Sequence, residues 1–169
     1  QLMGGSIAIK SELGAGTVFN VSLPADVVEH HIANYVNVQP QDAPNLIGKT
    51  VLLAEDNAIN QKIMQQMLAP TQATLIIAAN GSDALTQYRK TKPDIVLLDI
   101  QMPIKDGYET TKLIRRLPKY EKLPIIAMTA NVMSTDVQQA KDAGMNDHIA
   151  KPIDEKIMVA KIKSYLKAD

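Results

Sequence analysis

The sequence predicts an α/β domain whose parallel sheet is covered by helices on both faces, and three observations carry that prediction. From Thr50 onward, five short runs rich in leucine, isoleucine and valine alternate with five helical patterns, the sequence form of repeated βαβ units. Ile95 to Leu98, an unbroken apolar run, ends abruptly in Asp99 and then turns through Pro103 and Gly107. Polar residues of matching chemistry close the other runs: Glu55 and Asp56 the first, Thr129 the fourth, Lys151 the fifth. In an open parallel sheet such strand ends lie along one edge, where functional groups gather near a topological switch point.

Taken in order, TVLLAED (50–56) is the first strand and INQKIMQQML (59–68) the first helix, with Ile63, Met64, Met67 and Leu68 on one face and Pro70 beyond its end. ATLIIAA (73–79) is the second strand, and Ser82 is expected to cap the helix that carries Leu85 and Tyr88 inward. DIVLLD (94–99) precedes the helix DGYETTKLIRRL (106–117). LPIIAMTA (123–130) precedes STDVQQAKDAGM (134–145), which Gly144 should stop. DHIAKP (147–152) leads into DEKIMVAKIKSYLK (154–167), where Met158, Ile162, Tyr165 and Leu166 form an apolar stripe. Ahead of all this, residues 1–24 read as a helix end at Gly4-Gly5, a strand SIAIKSEL, a GAGT turn (14–17) and a strand VFNVSLP, a hairpin rather than a phosphate loop. Residues 25–48 mix polar residues with prolines and keep no period, as a linker does.

Composition removes several function classes. Eighteen acids balance 18 bases, so no global basic field favours nucleic acid or an anionic membrane. Cysteine is absent, which excludes disulfides, thiolate metal sites and a cysteine nucleophile. No apolar run approaches the ~20 residues of a membrane span, and no signal peptide opens the chain. His30 and His31 are adjacent, so they point in different directions on a helix, and they read as solvated linker residues. The C-terminal lysines 156, 161, 163 and 167 read as the wet face of the last helix. The chain opens on Gln1 in the middle of a pattern and is expected to be a piece of a longer protein.

Glu55, Asp56 and Asp99 are thus predicted to meet at one edge with Thr129 and Lys151. Three acids in contact call for a cation between them. With no histidine or cysteine beside them, a hard divalent ion with oxygen ligands suits the set, and Mg²⁺ commonly takes one or two carboxylates plus phosphate oxygens. The lysine and the hydroxyl suit the remaining oxygens of a phosphoryl group in transfer. An ionised carboxylate nucleophile needs no general base, and Asp99, at the end of the central strand, is the best placed.

The motifs EDN (55–57), LLDIQMP (97–103), KDG (105–107), MTAN (128–131) and AKPI (150–153) resemble the receiver domain of two-component signalling, in order and from about Gly48 to Lys167. The resemblance implies a flavodoxin-like (βα)5 fold over residues 49–169, with strand order 2-1-3-4-5 counted within its sheet. It implies that Asp99 accepts a phosphoryl group from phosphohistidine and that Mg²⁺, with Mn²⁺ as a substitute, is held by Asp56, by Asp99, by the backbone carbonyl of Gln101 and, largely through water, by Glu55. Lys151, before a cis peptide bond to Pro152, would pair with the phosphoryl oxygens and Thr129 would hydrogen-bond them. His148 stands where the family usually has a mobile aromatic ring, and Asn131 stands where members tune phosphoryl lifetime. No further cofactor site is implied.

The segment QLMGGSIAIKSELGAGTVFNVSLP (1–24) resembles the C-terminal end of a histidine-kinase ATPase domain, with GAGT as its last glycine box. An ATPase tail, a linker and a receiver in that order resemble a hybrid sensor histidine kinase. The implied partners are the kinase's own dimerisation domain and a His-containing phosphotransfer protein, with regulation of the parent kinase in cis as the alternative output. The implied location is cytoplasmic, with a parent anchored in the inner membrane; neither nucleic acid nor direct membrane contact is expected of this segment. ATP binding by residues 1–24 is not expected either, because the other ATP boxes would lie before Gln1. Two rivals fit less well. A haloacid-dehalogenase-like phosphatase wants a second Asp where Gln101 stands; a binding module without chemistry would be an FMN flavodoxin, which wants a phosphate loop where EDNAIN stands, or a degenerate receiver, which normally loses an acid or the lysine, all present here.

Overall fold

The structure, a computed structural model, describes residues 4–14, 16–24, 44–117, 122–130 and 134–166. The chain divides into two compact units, Gln1–Asn37 and Val38–Asp169.

The first unit holds a hairpin of β1 (Ser6–Glu12) and β2 (Gly16–Ser22), paired antiparallel from Ser6↔Ser22 to Glu12↔Gly16. Its turn requires glycine: Gly14 and Gly16 adopt φ of +86° and +101°, conformations that cost an L side chain steric strain. The GAGT turn is therefore a hairpin turn. The pairs Ile7↔Val21 and Ile9↔Phe19 stack apolar side chains on one face.

The second unit alternates strand and helix throughout: β3 (Thr50–Ala54), α1 (Ala58–Leu68), β4 (Thr74–Ala78), α2 (Gly81–Thr91), β5 (Ile95–Asp99), α3 (Gly107–Arg115), β6 (Ile125–Thr129), α4 (Ser134–Ala143), β7 (Asp147–Ala150) and α5 (Glu155–Leu166). The five strands are all parallel in the order β4-β3-β5-β6-β7. Counted within this sheet, that is the expected 2-1-3-4-5 order, with β5 in the centre. Every residue of β5 and β6 is buried, because helices cover both faces. Alternate residues of one strand serve opposite cores. Leu52, Val96, Leu98 and Ala127 pack with Ala84, Tyr88, Ile114 and Ala140 of α2, α3 and α4. Val51, Leu53, Leu97 and Met128 pack with Met64, Leu68, Met158 and Ile162 of α1 and α5. Each such large side chain removed from water stabilises the fold by about 1.5–3 kcal/mol before conformational entropy is counted.

The helix ends refine the sequence reading. Asn80, not Ser82, caps α2: its side chain accepts from the Asp83 N–H at 2.9 Å, and Ser82 lies inside the helix. Both residues are good caps, and the extended backbone at Asn80 decides between them. Asn57 caps α1 and Asp106 caps α3 in the same way. Gly144 takes φ +97° and ends α4 as predicted. Ile63 departs from the expected buried stripe of α1 and is 43% exposed, while Met64 and Leu68 are buried.

Pro44 and Leu46 fall in the stretch read as linker, and both are buried. Leu46 is 0% exposed within the α1/α5 core, and its N–H donates to the Thr71 carbonyl at 2.9 Å. A turn at Gly48, φ +78°, then delivers the chain to β3. Leu46→Ala is expected to cost about 2–5 kcal/mol, as other buried leucine truncations do. Exposed Ile47→Ala should stay within about 0.5 kcal/mol. Urea midpoints of the two variants test the pair.

Candidate active site

Parallel strands share a direction, so their C-terminal ends form one edge, and the register aligns them there. Ala54 pairs with Leu98, Asp99 with Met128, and Thr129 with Ala150. Glu55 and Asp56 follow β3, Asp99 ends β5, Thr129 ends β6 and Lys151 follows β7. All five predicted side chains, together with Gln101, line one cleft of about 170 Å³. Two larger clefts of about 430 and 440 Å³ flank it; one shares Gln101 and Thr129 with it, the other Glu55 and Lys151.

Within the cleft, one carboxylate oxygen from each of Glu55, Asp56 and Asp99 lies within 4.8 Å of the others. Lys151 Nζ donates to Glu55 Oε2 at 2.8 Å and to Asp99 Oδ2 at 2.7 Å. Asp99 Oδ1 accepts from the Gln101 N–H at 3.2 Å. Glu55, Asp99 and Thr129 are buried, Lys151 is half-buried and Asp56 is exposed, so the cleft has two deep acids and one at its mouth. Burial pushes the Asp99 carboxyl above the ordinary aspartate value, and the ammonium of Lys151 and the N–H of Gln101 only partly offset it. Burial works against the Lys151 ammonium, but Asp99 and Glu55 outweigh it and hold the ammonium above the usual lysine value.

The loop after Asp99 is tightly drawn. The Gly107 N–H donates to the Ile100 carbonyl at 2.9 Å, and a Cβ at Gly107 would meet the Asp99 carbonyl oxygen at 2.5 Å. Glycine is therefore what lets α3 begin against the strand that carries Asp99. Ile104 in this loop is exposed with φ +71°, a strained conformation for a β-branched residue. The Lys151–Pro152 peptide bond is cis.

His148 lies outside the cleft. It sits opposite Ala127 in the edge strand β7 and lines a separate cleft of about 190 Å³ with Val137 and Lys141. Asn131 lies outside the described residues, as do His30 and His31. The sequence reading missed Asn60 and Gln61. Asn60 Nδ2 donates to Glu55 Oε1 at 2.9 Å and Gln61 Nε2 to the Glu55 carbonyl at 2.6 Å. Their signal was EDNAINQ, two side-chain amides in the first turns of the helix that follows the acids.

Three carboxylates, an ammonium, a hydroxyl and a backbone N–H meet at the switch-point edge of a doubly covered sheet, a donor set whose chemistry suits a divalent cation and phosphoryl oxygens. Residues 51–163 match the response regulator receiver domain family, and the chain belongs to that family: it contains a receiver domain of two-component signalling. It is 32% identical over 164 residues to the aerobic respiration control sensor protein ArcB of Escherichia coli strain K12, a match covering 96% of this chain and 21% of ArcB. The chain thus spans about a fifth of the length of that relative. Among solved structures, the receiver domain of sensor histidine kinase PA1611 from Pseudomonas aeruginosa PAO1 has a magnesium ion coordinated in its active-site cleft. It is 32% identical, with a TM-score of 0.67 over 71% of this chain and 98% of that one. The receiver domain of the Saccharomyces cerevisiae response regulator Ssk1, crystallised with the histidine phosphotransfer protein Ypd1, is 28% identical, with a TM-score of 0.66 over 73% of this chain and 90% of that one. Among the described residues, no helix is long and apolar enough to cross a membrane.

Proposed function

We propose that Asp99 is the phosphoacceptor of a phosphorelay, taking a phosphoryl group from phosphohistidine and passing it to the histidine of a phosphotransfer partner. The observation that carries this reading is the placement of Lys151 Nζ, 2.7 Å from Asp99 and 2.8 Å from Glu55 in a three-carboxylate cleft. Such a lysine is positioned to follow charge onto a phosphoryl group attached to Asp99. The donor set fits a hard divalent cation: all oxygen, three carboxylates, and an edge open to solvent through Asp56. Asp56, Asp99, the Gln101 carbonyl and, through water, Glu55 would hold Mg²⁺ or Mn²⁺, which would supply charge neutralisation for the equatorial oxygens.

The phosphohistidine reacts with its second ring nitrogen already protonated: an Asp99 oxygen forms the new P–O bond as the P–N bond breaks, the electron pair returns to the ring, and a neutral imidazole leaves with that proton. Thr129 donates a hydrogen bond from its hydroxyl to a phosphoryl oxygen. His148 and Asn131 modulate readout and phosphoryl lifetime. The β1–β2 hairpin supports reading residues 1–24 as the tail of a histidine-kinase ATPase domain and residues 25–48 as its connection to the receiver, within a cytoplasmic region of a hybrid histidine kinase. The donors and acceptors are then that kinase's dimerisation domain and a separate phosphotransfer protein, the class of partner crystallised with Ssk1.

Intact-protein mass after incubation with acetyl phosphate tests the core of this reading. A single phosphoryl adduct that forms with Mg²⁺ and not with EDTA is expected. No adduct, together with no stable beryllofluoride complex, would overturn it.

A further inference from the structure

Glu55 is 1% exposed, and each of its oxygens has a partner. Lys151 takes Oε2 at 2.8 Å. Oε1 accepts from Asn60 Nδ2 at 2.9 Å and from the Asn57 N–H at 3.3 Å. The backbone carbonyl accepts from Gln61 Nε2 at 2.6 Å. A carboxylate has no proton to give, so Asn60 must turn its amide nitrogen toward Glu55. Local structure makes this reach possible. The Asn57 side chain caps α1, accepting from Ile59 N–H at 2.8 Å and Asn60 N–H at 3.4 Å. Helical side chains lean toward the N-terminus, which brings Asn60 back over the strand end.

Asn60 is half-buried and belongs to neither apolar core. Its removal therefore leaves no core cavity, and its contribution is the orientation of Glu55. Without it, Oε1 keeps only the longer Asn57 contact, and Glu55 is free to turn further toward Lys151.

We propose that Asn60 is a positioning residue: it fixes the Glu55 rotamer and so sets the spacing of the three carboxylates on which divalent-cation affinity depends. The proposal rests on the reading of this cleft as a cation-dependent phosphoacceptor site. Groups that orient metal-binding side chains are typically worth ten- to a hundredfold in affinity. Calorimetric titration of the full chain with Mg²⁺ is the test. Asn60→Ala should weaken binding about tenfold, while its thermal midpoint in EDTA falls by only a few degrees, the loss of one hydrogen bond to a buried carboxylate. Asn60→Gln, which retains an amide donor one methylene further out, should fall between the two.

The decisive arm is a double-mutant cycle with Glu55→Gln. If Asn60 acts through Glu55, Asn60→Ala weakens Mg²⁺ binding in the parent and changes it little in the Glu55→Gln background. Equal losses in both backgrounds, or unchanged affinity in Asn60→Ala, would overturn the proposal while leaving the phosphoacceptor reading intact. A parent chain that binds no Mg²⁺ would overturn both.

Discussion

Asp99→Asn should yield a protein that takes up no phosphoryl group and yet melts at a higher temperature than the parent. Loss of uptake follows from chemistry: the amide has no anionic oxygen to attack phosphorus, and removal of a nucleophile typically costs more than about a thousandfold. The gain in stability follows from burial. Asp99 is 4% exposed, and burial holds its carboxyl above the ordinary value despite Lys151 and Gln101. An acid whose folded value is raised binds its proton more tightly in the folded state. The stability this confers is full below the unfolded value and is lost as pH rises through the folded one. At neutral pH the parent therefore carries a buried charge that Lys151 and Gln101 only partly compensate, and the neutral amide of similar shape does not. Calorimetry in EDTA should show a midpoint higher by a few degrees at neutral pH, with the gap narrowing on acidification. A destabilised Asp99→Asn protein would show that the Lys151 ion pair outweighs burial.

Lys151→Ala should move both properties downward. It leaves Glu55 and Asp99 facing each other without the ammonium that now sits 2.8 and 2.7 Å from them. Removing one partner of a buried ion pair costs 3–5 kcal/mol. Lys151 is 22% exposed at its side chain, so about 2–3 kcal/mol is the better figure, roughly 10 °C in midpoint for a domain of this size. Phosphoryl uptake from acetyl phosphate should fall by about 10²–10³, the usual loss when a charge-stabilising donor is removed. Lys151→Arg should recover more of the stability than of the uptake, because its planar fork cannot copy a point ammonium at the same atom. Added Mg²⁺ should restore part of the lost midpoint in Lys151→Ala, since a cation in the cleft neutralises the same two carboxylates. Uptake that survives Lys151→Ala at the parent rate would remove the lysine from the reaction.

The site was legible because the fold makes it so. Once Ile95–Leu98 and its four counterparts are strands of a parallel sheet, the residue that ends each run must fall on one edge, and five of the side chains that line the cleft could be named before any geometry. Asn60 and Gln61 could not, because their hydrogen bonds to Glu55 depend on where α1 begins, which Asn57 decides by capping. Ile63 shows the limit of helical periodicity: an apolar residue beside the buried stripe of Met64 and Leu68, it lines the open cleft next to Glu55 and Lys151 and stays 43% exposed. Ser82 and Asn80 are both competent caps two residues apart, and backbone conformation, invisible in composition, chooses between them. Leu46 escaped notice for another reason. A lone leucine in a stretch without period carries no pattern, and its burial is a tertiary event made by the Thr71 turn and the ends of α1 and α5.

That buried leucine also fixes where the chain enters this domain. The chain enters through Pro44 and Leu46, beside the starting ends of the strands, whereas the acids lie at their finishing ends, roughly 15 Å further along a five-residue strand. The point of entry and the acidic cleft therefore occupy opposite edges of one sheet, and Pro44 and Leu46 are buried at the base without lining the cleft.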